Sequence, residues 1–128
     1  MSTVEEIDSI LQSIESEVPS VEGAIIASRD GFVITHTLTG EDAEEIAAMV
    51  ATTTGVSERM AATLSAGNVE ETSITAAERS VFLYRAGQEG VLALIAGGEA
   101  NVGMINLQAR RSTDEIESLL ADPSTAAN

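Results

Sequence analysis

The chain has no cysteine, no tryptophan and no lysine, and only 2% of it is aromatic. Without cysteine there is no disulfide framework, no thiol nucleophile and no cysteine-ligated zinc. Without lysine, the Gly97-Gly98 pair ahead of the last helix cannot be a phosphate-binding loop of the Walker kind. It reads as a strand-to-helix joint. There is one histidine, His36, near a strand end, where a structural role outweighs catalysis. With no nucleophile identifiable beside it, the sequence argues against an enzyme. No apolar run approaches the ~18 residues of a membrane span. The opening MSTVEEIDSI carries acids where a signal peptide has basic residues, so a soluble, cytoplasmic protein is expected.

Positive charge is scarce as well. The six basic residues are all arginine (29, 59, 79, 85, 110 and 111) against 21 Asp and Glu, a net charge of −15. No basic patch is available to release counterions from phosphates, which disfavours nucleic acid. An acidic, lysine-free, Ala- and Thr-rich surface resembles that of proteins from salt-loving archaea. At ~1 M salt the screening length falls to ~3 Å and self-repulsion costs little. An ordinary acidic protein of a GC-rich genome is the alternative.

Hydrophobic residues make up 44% of 128, enough for one core. One domain is expected over residues 1–121, with a polar, disordered tail at 122–128. The apolar residues are small and aliphatic, so close helix–sheet packing must stabilise it.

Val4, Ile7, Leu11, Ile14 and Val18 repeat at helical spacing, predicting an amphipathic helix over Thr3 to Glu17, capped by a Thr3–Glu6 box and ended by Pro19. A two-heptad seam is the competing reading. Val21 to Leu38 predicts a hairpin about Asp30-Gly31 in a type I′ turn, pairing Ala27 with Ile34 and Ile25 with His36. Both of its faces are mostly apolar, so the sheet should be covered on both sides. After a long helix come three strand candidates: VEETSIT (Val69 to Thr75, a polar edge), RSVFLYR (Arg79 to Arg85) and VLALIA (Val91 to Ala96, buried). A last helix spans Ala100 to Ala121; Ser112 to Glu115 could instead cap a separate one.

The long helix, Glu41 to Gly67, is the most informative stretch. Thr39 and Asp42 are cap-like, and Glu41, Asp42, Glu44 and Glu45 sit where the helix dipole favours acids. That explains the cluster without a metal, and no EF-hand spacing is present. Gly67-Asn68 supplies a stop. Between Ile46 and Ser57 there is no charge. On a helical wheel, Ile46, Met49, Val50, Thr53, Val56, Met60 and Leu64 fall on one side, with small residues Ala47, Ala48, Ala51, Gly55 and Ala62 opposite. Both sides therefore demand burial. The large face is expected on the chain's own sheet, and the small face against a second copy. Gly55, costing ~1 kcal/mol against alanine in a helix, would permit that close approach.

VEGAIIASRDGFVI, EDAEEIAAMVATTTGVSERMAATLSAG and EANVGMINLQARRSTDEIESLL, in this order, resemble the opening hairpin, central helix and closing helix of the Roadblock/dynein light chain domain family. The resemblance covers Val4 to Leu120. It implies an α+β three-layer sandwich: a five-stranded antiparallel sheet between the central helix and the two terminal helices. It also implies dimerisation through central helices and third strands, adding Val69 and Ile74 to the small-face interface residues. Function in that family is non-enzymatic: regulation and scaffolding of small Ras-like GTPases, or service as a dynein light chain. Prokaryotic stand-alone members resemble Mgl-type partners that stimulate GTP hydrolysis by reorganising the GTPase's own residues. Glu44, Glu45, Glu58 and Arg59, at the rims of the buried faces, are the candidate partner contacts, with a solvated helix face as the alternative. A structural homo- or heterodimer without a GTPase, or a small-ligand sensor, are the competing functions. No cofactor is implied.

Overall fold

Ser2 starts the first helix. Its hydroxyl accepts from the Glu5 N–H at 3.2 Å and donates to the Glu5 carboxylate at 3.2 Å. In the computed structural model, which describes residues 2–121, α1 spans Thr3–Glu17. The expected Thr3–Glu6 box is thus corrected to Ser2–Glu5, because the capping hydroxyl must stand outside the first helical residue. The tail expected at 122–128 lies outside the described residues.

Strands β1 (Val21–Ser28) and β2 (Val33–His36) form the hairpin, but not through a type I′ turn. That turn needs positive φ at both Asp30 and Gly31, and only Gly31 has it, at 93°. Instead the Gly31 N–H donates to Ser28 O at 3.0 Å, and the Ser28 N–H donates to Phe32 O at 2.8 Å. The loop is therefore three residues long, a type I turn closed by a left-handed glycine. Ile25 still faces His36, but a bulge after Ile26 pairs Ala27 with Val33 rather than Ile34.

The remaining elements are α2 (Ala43–Thr63), β3 (Thr72–Thr75), β4 (Arg79–Ala86), β5 (Gly90–Gly97) and α3 (Val102–Ala121). The last is one continuous helix, with the Asn101 side chain accepting from the Met104 N–H at 3.1 Å. Strand order is β2-β1-β5-β4-β3, antiparallel throughout. β5 is the middle strand, and its unbroken apolar run reflects cover on both faces.

Alternation along the strands divides the core. Ala24, Ile26, Phe82, Tyr84, Leu92 and Leu94 meet Ile7, Leu11 and Ile14 of α1 and Ile105, Ala109 and Ile116 of α3. Ile25, Ala27, Leu83, Val91 and Ala93 face α2, packed with Ala47 and Val50. The molecule is the expected α+β sandwich, two helices on one face of the sheet and one on the other. Tyr84 ties β4 to α3, its hydroxyl donating to Asn106 Oδ1 at 2.5 Å. Burial, reinforced by the charge of Glu71, pushes its phenol pKa up.

Candidate functional site

The sequence places α2 correctly and its faces wrongly. Ala47 is fully buried, with Val50 and Thr54 beside it, while Met49 (50% exposed), Val56 (56%), Met60 (59%) and Leu64 (71%) stand in the open. The large residues do not cover the sheet as one face. The buried arc instead straddles the boundary between the two predicted sides, taking Ile46 and Val50 from one and Ala47 from the other. The reason is distance. Gly31 in the hairpin turn lies so near α2 that a β-carbon there would stand 3.3 Å from Ala48 Cα and 3.8 Å from Ala51 Cβ. Only small side chains fit on that flank.

Asp42 caps α2, its carboxylate accepting from the Glu45 N–H at 3.2 Å, which puts the first helical residue at Ala43 rather than at Glu41. It ends before the expected Gly67-Asn68 stop. The Ala66 N–H bonds Ala61 O at 2.8 Å and the Ser65 N–H bonds Ala62 O at 3.1 Å. That is a Schellman ending with Ser65, at φ 54°, in the left-handed position glycine usually takes.

The apolar stripe on the open side of α2 is the most conspicuous surface feature. Towards its C-terminal end Val56, Arg59, Met60, Thr63 and Leu64 line a shallow depression of about 390 Å³. Arg59 has no carboxylate partner among the described residues, so it presents a free cation beside this apolar ground. Ala48 and Ala62 are exposed, and Gly55 is half-buried with open space where a β-carbon would go. Glu44 and Glu45 are exposed in the first turn. Ile74 is exposed on β3, the edge strand that pairs only with β4, and Val69 is half-buried ahead of it.

Glu58 stands differently from the other candidate contacts. Arg85 of β4 binds it bidentately, Nε to Oε2 at 3.0 Å and Nη2 to Oε1 at 2.5 Å. This hydrogen-bonded guanidinium holds the Glu58 carboxyl below its ordinary pKa against the opposing effect of burial, and Arg29 adds to the lowering. No spacing rule joins positions 58 and 85, so the pair has no signature in the sequence. His36 is exposed, its Nδ1 accepting from the Leu38 N–H at 3.0 Å. Among the described residues no group of three or more acids or histidines could hold a metal ion, and no helix is long and apolar enough to cross a membrane.

Fold and surface together define a class: an α+β sandwich with an open strand edge and a helix whose outer side is apolar. Within it, the chain belongs to the Roadblock/LC7 domain family, whose profile matches residues 7–96. An uncharacterized protein of Methanocaldococcus jannaschii is 31% identical over 114 residues, covering 88% of this chain and 98% of that protein. Among solved structures, an MglB with a tetrameric arrangement superposes with a TM-score of 0.84, at 18% identity over 93% of this chain and 90% of its own. The gliding protein MglB of Thermus thermophilus gives 0.83, also at 18% identity, over 93% and 91%. At that identity the likeness to the two MglB structures is one of fold.

Proposed function

We propose that this protein is a non-enzymatic, cytoplasmic homodimer that binds and regulates a small Ras-like GTPase. The observation that carries the first half is the exposed stripe of Met49, Val56, Met60 and Leu64. Burying such a side chain fully stabilises by ~1.5–3 kcal/mol, so covering these partly exposed four would contribute roughly 4–7 kcal/mol per protomer. Two copies pairing stripe to stripe double that, which is of the order needed to offset the cost of association. The free edge of β3 lets a second copy extend the sheet, with Ile74 and Val69 at the junction. Ala48, Gly55 and Ala62 stand roughly 100° or more around the helix from the middle of the stripe and lie outside that contact, and Ala47 and Ala51 belong to the protomer's own packing.

The GTPase half rests on the family and on the MglB fold. Glu44, Glu45 and Arg59 remain free for such a partner, while Glu58 is engaged by Arg85. Mass in solution, measured in dilute buffer and at molar salt, tests the dimer: a monomer in both ends that reading. Co-expression with the Ras-like GTPases of the same genome tests the partner, through complex formation and GTP hydrolysis in each nucleotide state. Absence of any complex at native salt removes GTPase regulation and leaves the dimer as a scaffold.

A further inference from the structure

Two of the six arginines converge on one hollow of about 620 Å³ between the C-terminal half of α2 and the turns at one end of the sheet. Arg29 comes from the β1–β2 turn and Arg85 from β4, and the Asn68 and Gln88 side chains complete a lining rich in donors. Glu58 is the one acid that lines it, although the chain has 21; Asp30 and Glu89, which neighbour these residues in the turns, do not line it. By contrast, Arg79 lies between Glu22 and Glu41, and Arg110 between Glu70 and Glu71. Here two guanidinium groups stand in a lining that holds a single carboxylate, bound by Arg85 alone.

The arginines are also incompletely satisfied. Arg29 has no ion pair among the described residues. Arg85 gives two nitrogens to Glu58, but its Nη1 is buried without an acceptor, leaving the guanidinium under-compensated. A concave site with surplus positive charge favours a further negative group within reach. Gly67 and Gly87, both at positive φ, expose backbone in the lining turns, and a β-carbon at Gly67 would meet nothing within 4 Å. Ala62, which lines the hollow, is about 200° around the helix from Met60, so the hollow opens on the side of α2 opposite the apolar stripe.

We infer that this hollow binds a small phosphorylated molecule, its phosphate held between Arg29 and Arg85 with Asn68 and Gln88 donating to the remaining oxygens. Donors that converge from separate elements suit the three oxygens of a phosphate in their tetrahedral spread better than the two coplanar oxygens of a carboxylate. The volume falls within the ordinary range for small ligands and leaves room for an organic group beyond the phosphate. GTPase binding is not needed for this site, although Val69, which lines it, also stands at the proposed strand junction.

The test is titration of the full chain with inorganic phosphate and, separately, pyrophosphate, at an ionic strength held constant with KCl, following backbone amide NMR shifts. Saturable shifts at Gly67, Asn68, Gly87 and Gln88 are expected. Arg29→Gln, which breaks no ion pair, should weaken binding about tenfold or more. Glu58→Gln should tighten it several-fold, since it removes the competing anion; a site held together only by the Arg85 pair would be weakened instead. Equal response to succinate, or saturable shifts untouched by Arg29→Gln, would overturn the assignment, as would the absence of saturation at tens of millimolar phosphate.

Discussion

Arg85 and Glu58 join the sheet to α2 through two parallel hydrogen bonds, the one ion pair among the described residues that links β4 to the helix. The Glu58 carboxyl is held below its ordinary value by that contact. A depressed carboxylate contributes stability above its unfolded-state pKa of about 4.3 and loses it as pH falls through the folded value. The melting-temperature difference between wild type and Glu58→Gln should therefore be level above about pH 5 and close as the pH drops below 4. Glu58 is more than a third exposed, so the difference is small, and it should shrink further in molar salt.

Val56 is 56% exposed at the middle of the apolar stripe and absent from both core clusters. Val56→Glu should leave the helical circular dichroism signal and the folded protomer intact while converting the proposed dimer to monomer in sedimentation equilibrium. Loss of the fold instead would mean that the stripe belongs to the protomer's own core.

Gly55→Ala separates the two faces of the helix. A β-carbon at Gly55 meets nothing within 4 Å. Alanine should therefore stabilise the protein by about 0.5–1 kcal/mol through helix propensity and a less flexible unfolded chain. Dimer dissociation should stay unchanged. A weakened dimer would return Gly55 to the centre of the interface.

Ser65 holds a left-handed backbone, φ 54°, at the end of α2. Left-handed geometry costs an L-residue roughly 1–2 kcal/mol that glycine avoids, less the glycine's greater unfolded-state entropy. Ser65→Gly should accordingly stabilise by about 0.5–1 kcal/mol in urea denaturation. Gly67→Ala, at φ 92°, should destabilise for the same reason in reverse.

Much of the architecture was legible because it depends on short-range patterns. The helical spacing of Ile7, Leu11 and Ile14, the unbroken run VLALIA and the turn at Gly31 each specify a local element. What escaped was set by volume and by contacts distant in sequence. A wheel orders Met49, Ala47 and Val50 around an axis but says nothing about how near the sheet lies. That distance is set by Gly31, sixteen or more residues away and on another element. The Ser2 cap and the Ser65 ending were missed because each competes with an equally plausible neighbour, Thr3 and Gly67, and only backbone angles decide between them. Of the candidate site, Arg59, Glu44 and Glu45 were found as exposed rim charges, whereas the pairing of Glu58 with Arg85 was beyond any periodicity.

The close seat of α2 separates two kinds of mutational freedom along a single helix. Ala47, Val50 and Thr54 are confined by the sheet beneath them, where each added methylene must displace packed atoms. Met49, Val56, Met60 and Leu64 meet no such limit, and there a change of size or shape alters what the helix can adhere to without disturbing the protomer. Substitutions on the outer side can thus change the partner that the helix accepts while one scaffold is kept.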